Sequence, residues 1–187
     1  AKWASEYNSV VPGANIKVLN VSDQQRAGDL IKGGSIGFVS NEFYSGINSE
    51  SLWKVVIGRD VIVPVINAKN PFLEEINLNG VSPELLSVFV KNADSRNWGD
   101  LIKNGNTRKV NYYCINDKST LKSLSDFLKT DGSLIAGRNA GDAAEVVAAI
   151  QKDPYALGFC KLINVLDFEN QVIAENLRLL PIDRNGN

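Results

Sequence analysis

The sequence contains no histidine, which removes the usual general base at neutral pH, the Ser/His and Cys/His nucleophile pairs, and the commonest zinc ligand. Most hydrolase mechanisms fall with it. It contains no methionine either, so it reads as a processed or trimmed chain. No apolar run approaches the ~20 residues that a membrane-crossing helix needs, and no charged-then-apolar leader opens the chain. Lys and Arg number 20 against 21 Asp and Glu, a formal net charge of −1, and no basic stripe interrupts that balance. The electrostatic footprint of a nucleic-acid binder is therefore missing. Cysteine is scarce: Cys114 and Cys160 belong to no C-x-x-C pair and read as two small buried apolar residues, with a disulfide as the alternative.

What remains is ample for folding. With 44% hydrophobic residues in 187, the chain can bury a proper core as one domain or two small ones. The longest extended run is VVIGRDVIVPVINAKNP, residues 55–71, in which Val61, Ile62, Val63, Val65 and Ile66 are apolar on both parities. That pattern predicts a strand buried on both faces. Pro64 removes one ladder donor from it and so requires an edge, a bulge or a strand that leaves one sheet for another. The Asn70-Pro71 pair ends the run in a turn.

Around this strand the order of elements is alternating. Residues 2–10 read as a helix carrying Trp3, Tyr7 and Val10 on one face, stopped by Pro12-Gly13. Strands are expected at 16–21 and 35–39, separated by a helix that opens on the capping box Ser22 to Gln25 and closes at Gly33-Gly34. Further on, Ser82-Pro83 caps a helix whose inner face is Leu85, Leu86, Val88 and Phe89. A strand follows at 109–115, then a helix with Leu121, Leu124, Phe127 and Leu128 inside, closed by Gly132. Asp142 to Glu145 opens another capped helix, Asp153-Pro154 breaks it, and residues 156–160 form a strand. This alternation is an α/β signature with a mostly parallel sheet. Twice it gives a strand, a polar turn and a capped helix, an arrangement that gathers free backbone N–H groups at a helix N-terminus and suits an anion.

Five blocks in order carry a family resemblance: KWxxxYxxxxP from Lys2 to Pro12, GGSIGFVS from Gly33 to Ser40, DVIVPVINAKNP from Asp60 to Pro71, WGDL from Trp98 to Leu101, and DPYALGF from Asp153 to Phe159. Together they resemble the PstS-like phosphate-binding receptors of ABC importers, over essentially the whole chain. The closing LPIDRNGN is similar to the tail of a Bacteroidetes-type branch of that family. The resemblance implies a two-lobed periplasmic-binding-protein-like α/β fold, each lobe a mixed sheet flanked by helices, joined by two crossing strands. Lobe one would be residues 1–62 plus 160–187, without its N-terminal strand, and lobe two 63–159.

The same resemblance implies a non-enzymatic extracytoplasmic receptor, periplasmic or cell-surface, that binds a small anion such as phosphate in an inter-lobe cleft, uses no cofactor or metal, and serves ABC membrane subunits. Its ligand residues map onto Ser22 and Gln24 in the first polar turn, Ser40 and Asn41 after the GGSIGFV strand, and Asn67 at the end of the long run. In the second half they map onto Asn116, Lys118, Ser119 and Thr120, with Arg138 and Asn139 on the next loop. Two departures stand out. The family's proton-accepting aspartate becomes Asn41, and its arginine clamp falls at Cys114 with the following aspartate at Asn116. A ligand other than phosphate is therefore expected to be tolerated, and a secreted interaction module that has lost its small ligand is the alternative. Asp183, Asn185 and Asn187 match the first half of a calcium loop, for which a simple turn is expected.

Overall fold

The computed structural model describes residues 2–48, 50–91, 96–115, 117–135, 138–139 and 142–183, with the backbone alone at Glu42, Lys118, Leu134, Arg138 and Asn139. The chain divides into two compact units, Ala1–Ile57 and Gly58–Asn187.

The larger unit is built on β1, Ile62–Asn67. Its double-sided apolar pattern is realised directly: Val65 and Ile66 are both fully buried, and they face opposite apolar clusters. Full burial of each such side chain is worth about 1.5–3 kcal/mol. On one side β1 pairs antiparallel with β4, Ala156–Lys161, in the register Ile62 with Lys161 to Ile66 with Leu157. On the other it pairs antiparallel with β7, Leu177–Leu179. Pro64 lies where the β7 ladder ends. Its carbonyl accepts from Leu180 N–H at 2.9 Å, so the missing donor falls at the last rung and interrupts nothing.

Beyond β4 the sheet continues with β2, Asn111–Cys114, and β3, Arg138–Asn139, both parallel to their neighbours. The order β3-β2-β4-β1-β7 makes a mixed sheet. Helices cover both faces. On one, α4 (Leu73–Asn79), α5 (Pro83–Lys91), α6 (Trp98–Ile102) and α7 (Lys118–Leu128) bring Ile76, Leu86, Phe89, Trp98, Leu101 and Leu124 against Ile66, Tyr112 and Phe159. Tyr112 sits edge-on to Phe89 and Phe159, with ring centroids 5.3 and 6.1 Å away. On the other face, α8 (Ala143–Lys152) packs Val146 and Ile150 against Val65, Ala156 and Cys160. Gly158 permits that approach, because a Cβ there would stand 2.6 Å from Ile150 Cδ1. A two-stranded ribbon of β5 (Leu166–Asp167) and β6 (Val172–Ile173) precedes β7.

The smaller unit contains α1 (Lys2–Val10), α2 (Gln24–Lys32) and α3 (Asn41–Ser45). Here the expected strands at 16–21 and 35–39 do not form: neither run has regular secondary structure or enters a ladder. Ile16, Val18, Leu19, Ile36 and Phe38 are exposed. Apolar, β-branched composition favours extended backbone, whereas a strand also requires a partner to take its N–H and C=O groups. The cap of α2 is also one residue later than expected, since Asp23 accepts from Arg26 N–H at 2.7 Å. In the larger unit the caps at Ser82 and at Asp142 with Glu145 stand as expected. The end of α7 does not: Lys129, in the left-handed conformation at φ 49°, closes it before Gly132 is reached, and Phe127 points outward.

Cys114 and Cys160 are free thiols on opposite faces of the sheet, one in each cluster. Burial pushes both thiols up, that of Cys160 to about 12. Native protein at about pH 8 should therefore take up no thiol reagent, with two labels appearing on unfolding; rapid labelling of the folded chain would contradict the packing.

Candidate functional site

The sheet topology creates one privileged position. From β2 the chain passes through α7 to β3 on one side, and from β3 it passes through α8 to β4 on the other side of β2. At their carboxyl ends β2 leads into α7 on one face and β4 leads into Leu162 and Val165 on the other, so the two exits diverge between these strand ends, which is where open α/β sheets receive ligands.

Three charged residues with described side chains stand at that end of the sheet. Asp117, the N-cap of α7, accepts from Ser119 N–H and Thr120 N–H at 3.0 Å each, and also from the Thr120 hydroxyl. Lys161 closes β4 and pairs with Asp60 at 3.0 Å. Asp60 lies just ahead of β1, whose first residue, Ile62, is the register partner of Lys161. Partial burial raises the Asp117 carboxyl, but hydrogen bonds from Thr120, the Lys161 ammonium and Ser119 outweigh that, so it titrates below the ordinary carboxylate range. Asp60 and Asp117 each offer a carboxylate to a ligand that donates hydrogen bonds or carries a proton of its own, while Lys161 and the Lys118 and Arg138 positions at the same sheet end are cationic.

The expected ligand residues distribute unevenly around this point. Ser119 and Thr120 lie at it, with their backbone N–H groups bound to Asp117. Lys118 begins α7 beside them, and Arg138 and Asn139 run parallel to Tyr113 and Cys114 at the same end of the sheet. Asn116 lies outside the described residues. Asn67 is at the opposite end of β1, 1% exposed. Its amide donates to the carbonyls of Ile150 and Gln151 at 2.7 and 2.9 Å and accepts from Lys69 N–H. Both of its amide hydrogens thus finish the last turn of α8.

In the smaller unit Gln24 and Ser40 converge on Phe43. The Gln24 amide donates to its carbonyl at 3.0 Å, and the Ser40 hydroxyl accepts from its N–H at 3.2 Å. Asn41 accepts from Lys54, whose ammonium lies 4.5 Å from the Tyr44 ring centroid. Ser22 is exposed, immediately before the Asp23 cap. Sequence reasoning missed Asp60, Asp117 and Lys161. The available signals were the D-x-x-T spacing of a helix cap at Asp117 and the first charge after the apolar strand ALGFC. Among the described residues no cluster of His, Cys, Asp and Glu could hold a metal ion, and no helix is long and apolar enough to cross a membrane. The remainder of the D-x-N-x-N tail after Asp183 lies outside the described residues.

The mixed α/β fold of this chain, a sheet flanked by helices on both faces, is periplasmic-binding-protein-like. It is similar over 98% of the chain to a protein from Clostridium perfringens, assigned as a phosphate ABC transporter substrate-binding protein and solved with bound phosphate (13% identity, TM-score 0.62, 70% of that chain). An ABC-type phosphate transport receptor from Vibrio cholerae is comparably similar (14% identity, TM-score 0.60, 98% of this chain and 72% of that one). A possible phosphate binding protein from Planctomyces limnophilus matches over 67% of this chain at 14% identity and TM-score 0.52, and the chain spans 42% of its length. No family model and no curated protein matches the sequence. The likeness is thus one of fold alone, and nothing in it singles out the Bacteroidetes-type branch.

Replacing Asp117 by Ala should cost about 1 kcal/mol at neutral pH, the usual worth of a helix cap. A carboxyl depressed in the folded state stabilises above its unfolded pKa and loses that effect as pH falls through its folded pKa. Denaturant titrations should therefore show the deficit narrowing in acid; a deficit independent of pH would contradict the capping role.

Proposed function

We propose that the protein is a non-catalytic solute receptor, acting outside the cytoplasm with an ABC importer, that takes a small oxyanion or related polar ligand at the carboxyl ends of β2 and β4. The observation that carries this reading is the agreement of fold over 98% of the chain with two phosphate receptors, together with a charged cluster at the topological switch point. Binding stabilises one arrangement of the chain over another, and the importer reads that shift. Phosphate is the ligand of the neighbours. Here Asp117 and Asp60 oppose its dianion, while Lys161 and the Ser119 hydroxyl favour a protonated oxyanion whose O–H donates to a carboxylate. Arg138, Asn139 and Lys118 stand at the same sheet end and supply further donors in this reading.

A second reading, an interaction module without a small ligand, draws on one feature: Asp117 already occupies the N–H groups of Ser119 and Thr120. Calorimetric titration with phosphate, sulfate and other oxyanions separates the two. The receptor should bind phosphate more tightly as pH falls from about 8 to about 6, where its second proton is gained. Absence of heat with every oxyanion, with an unchanged melting temperature, would establish the second reading instead.

A further inference from the structure

We infer that Lys161 is a shared counter-ion that couples the strand-end site to the segment through which the chain enters the larger unit. Asp60 holds its ammonium at 3.0 Å from that entering segment, two residues ahead of the Ile62–Lys161 register pair. Next to it, Leu162 N–H donates to the Val61 carbonyl at 2.8 Å. Gly58 begins the unit, and a Cβ placed on it would meet nothing within 4 Å. The ion pair and the Val61–Leu162 bond thus fasten a stretch that side-chain packing at Gly58 does not.

Asp117 stands at the end of the neighbouring strand. It follows Cys114 by three residues, and Cys114 is the register partner of Phe159, two residues before Lys161. The Lys161 charge is felt at the Asp117 carboxyl. With side chains 27% and 60% exposed, the Lys161–Asp60 pair is weak enough to be redistributed by one neighbouring charge. An anion arriving beside Ser119 and Thr120 adds a further claim on Lys161 and frees Asp60, and with it residues 58–61. That last step rests on the receptor reading, whereas the sharing of Lys161 does not.

Hydrogen exchange at the Leu162 amide in the full chain reads the fastening. Asp60→Asn and Lys161→Met should each speed it about two- to fivefold, as befits a partly exposed ion pair, and the double variant should go no further. Asp117→Asn keeps a good helix cap and should slow the exchange, because Lys161 then answers to Asp60 alone. Additive effects of the first two changes, or an Asp117→Asn rate equal to the parent's, would overturn the sharing. Inorganic phosphate should raise the parent rate towards that of Asp60→Asn. Calorimetric phosphate binding with an unmoved Leu162 rate would overturn the ligand-driven release and leave the receptor reading intact. Absence of phosphate binding would overturn phosphate as the ligand, and the Asp117→Asn comparison would still decide the sharing.

Discussion

Strand β1 is held on both edges and both faces at once, and the rest of the larger unit follows from that constraint. Its ladder to β4 aligns Lys161 with Ile62, which brings Asp60 within reach of the ammonium. Its ladder to β7 leaves Pro64 at the last rung. Because Val65 and Ile66 point into different clusters, a slip of one residue would exchange the two cores and expose the register to a large penalty. The opposite end of the strand is fixed just as firmly by Asn67, whose amide closes the last turn of α8. The sheet end with the charged groups and the sheet end with the buried amide are thereby assigned distinct tasks.

In the proposed receptor role the charged end would be an electrostatically unusual anion site. In such folds the helix N-terminus ordinarily offers its N–H groups and dipole to the ligand, whereas here Asp117 takes them and adds a negative charge. Lys161, paired with Asp60 at 3.0 Å, restores part of the balance. Selectivity should then depend on the ligand's protonation rather than on its total negative charge, since a protonated oxyanion can both accept from lysine and donate to a carboxylate.

Much of this was legible in the sequence where local chemistry decides the outcome. The two-sided apolar run gave β1, the Ser82-Pro83 and Asp142–Glu145 patterns gave helix starts, and the alternation gave the α/β class. Pairing was not legible, because residues 16–21 and 35–39 have strand composition but only tertiary partners make a ladder. Lys129 ended α7 through a left-handed conformation that a lysine does not advertise. At the site, Ser119 and Thr120 were found as a polar turn, but Asp117 was overlooked beside Asn116, and Lys161 and Asp60 became neighbours only through an antiparallel register. Asn67 was expected as a ligand residue, and its place in the sequence does not advertise the carbonyls it engages, 83 and 84 residues away.

The central claim is that the strand ends of β2 and β4 receive the solute. Amide chemical shifts measured during a phosphate titration test it most directly. The account predicts that the largest changes fall on Ser119, Thr120 and Lys161, with Asn67 and its α8 partners unmoved; saturable changes confined to other residues would contradict it.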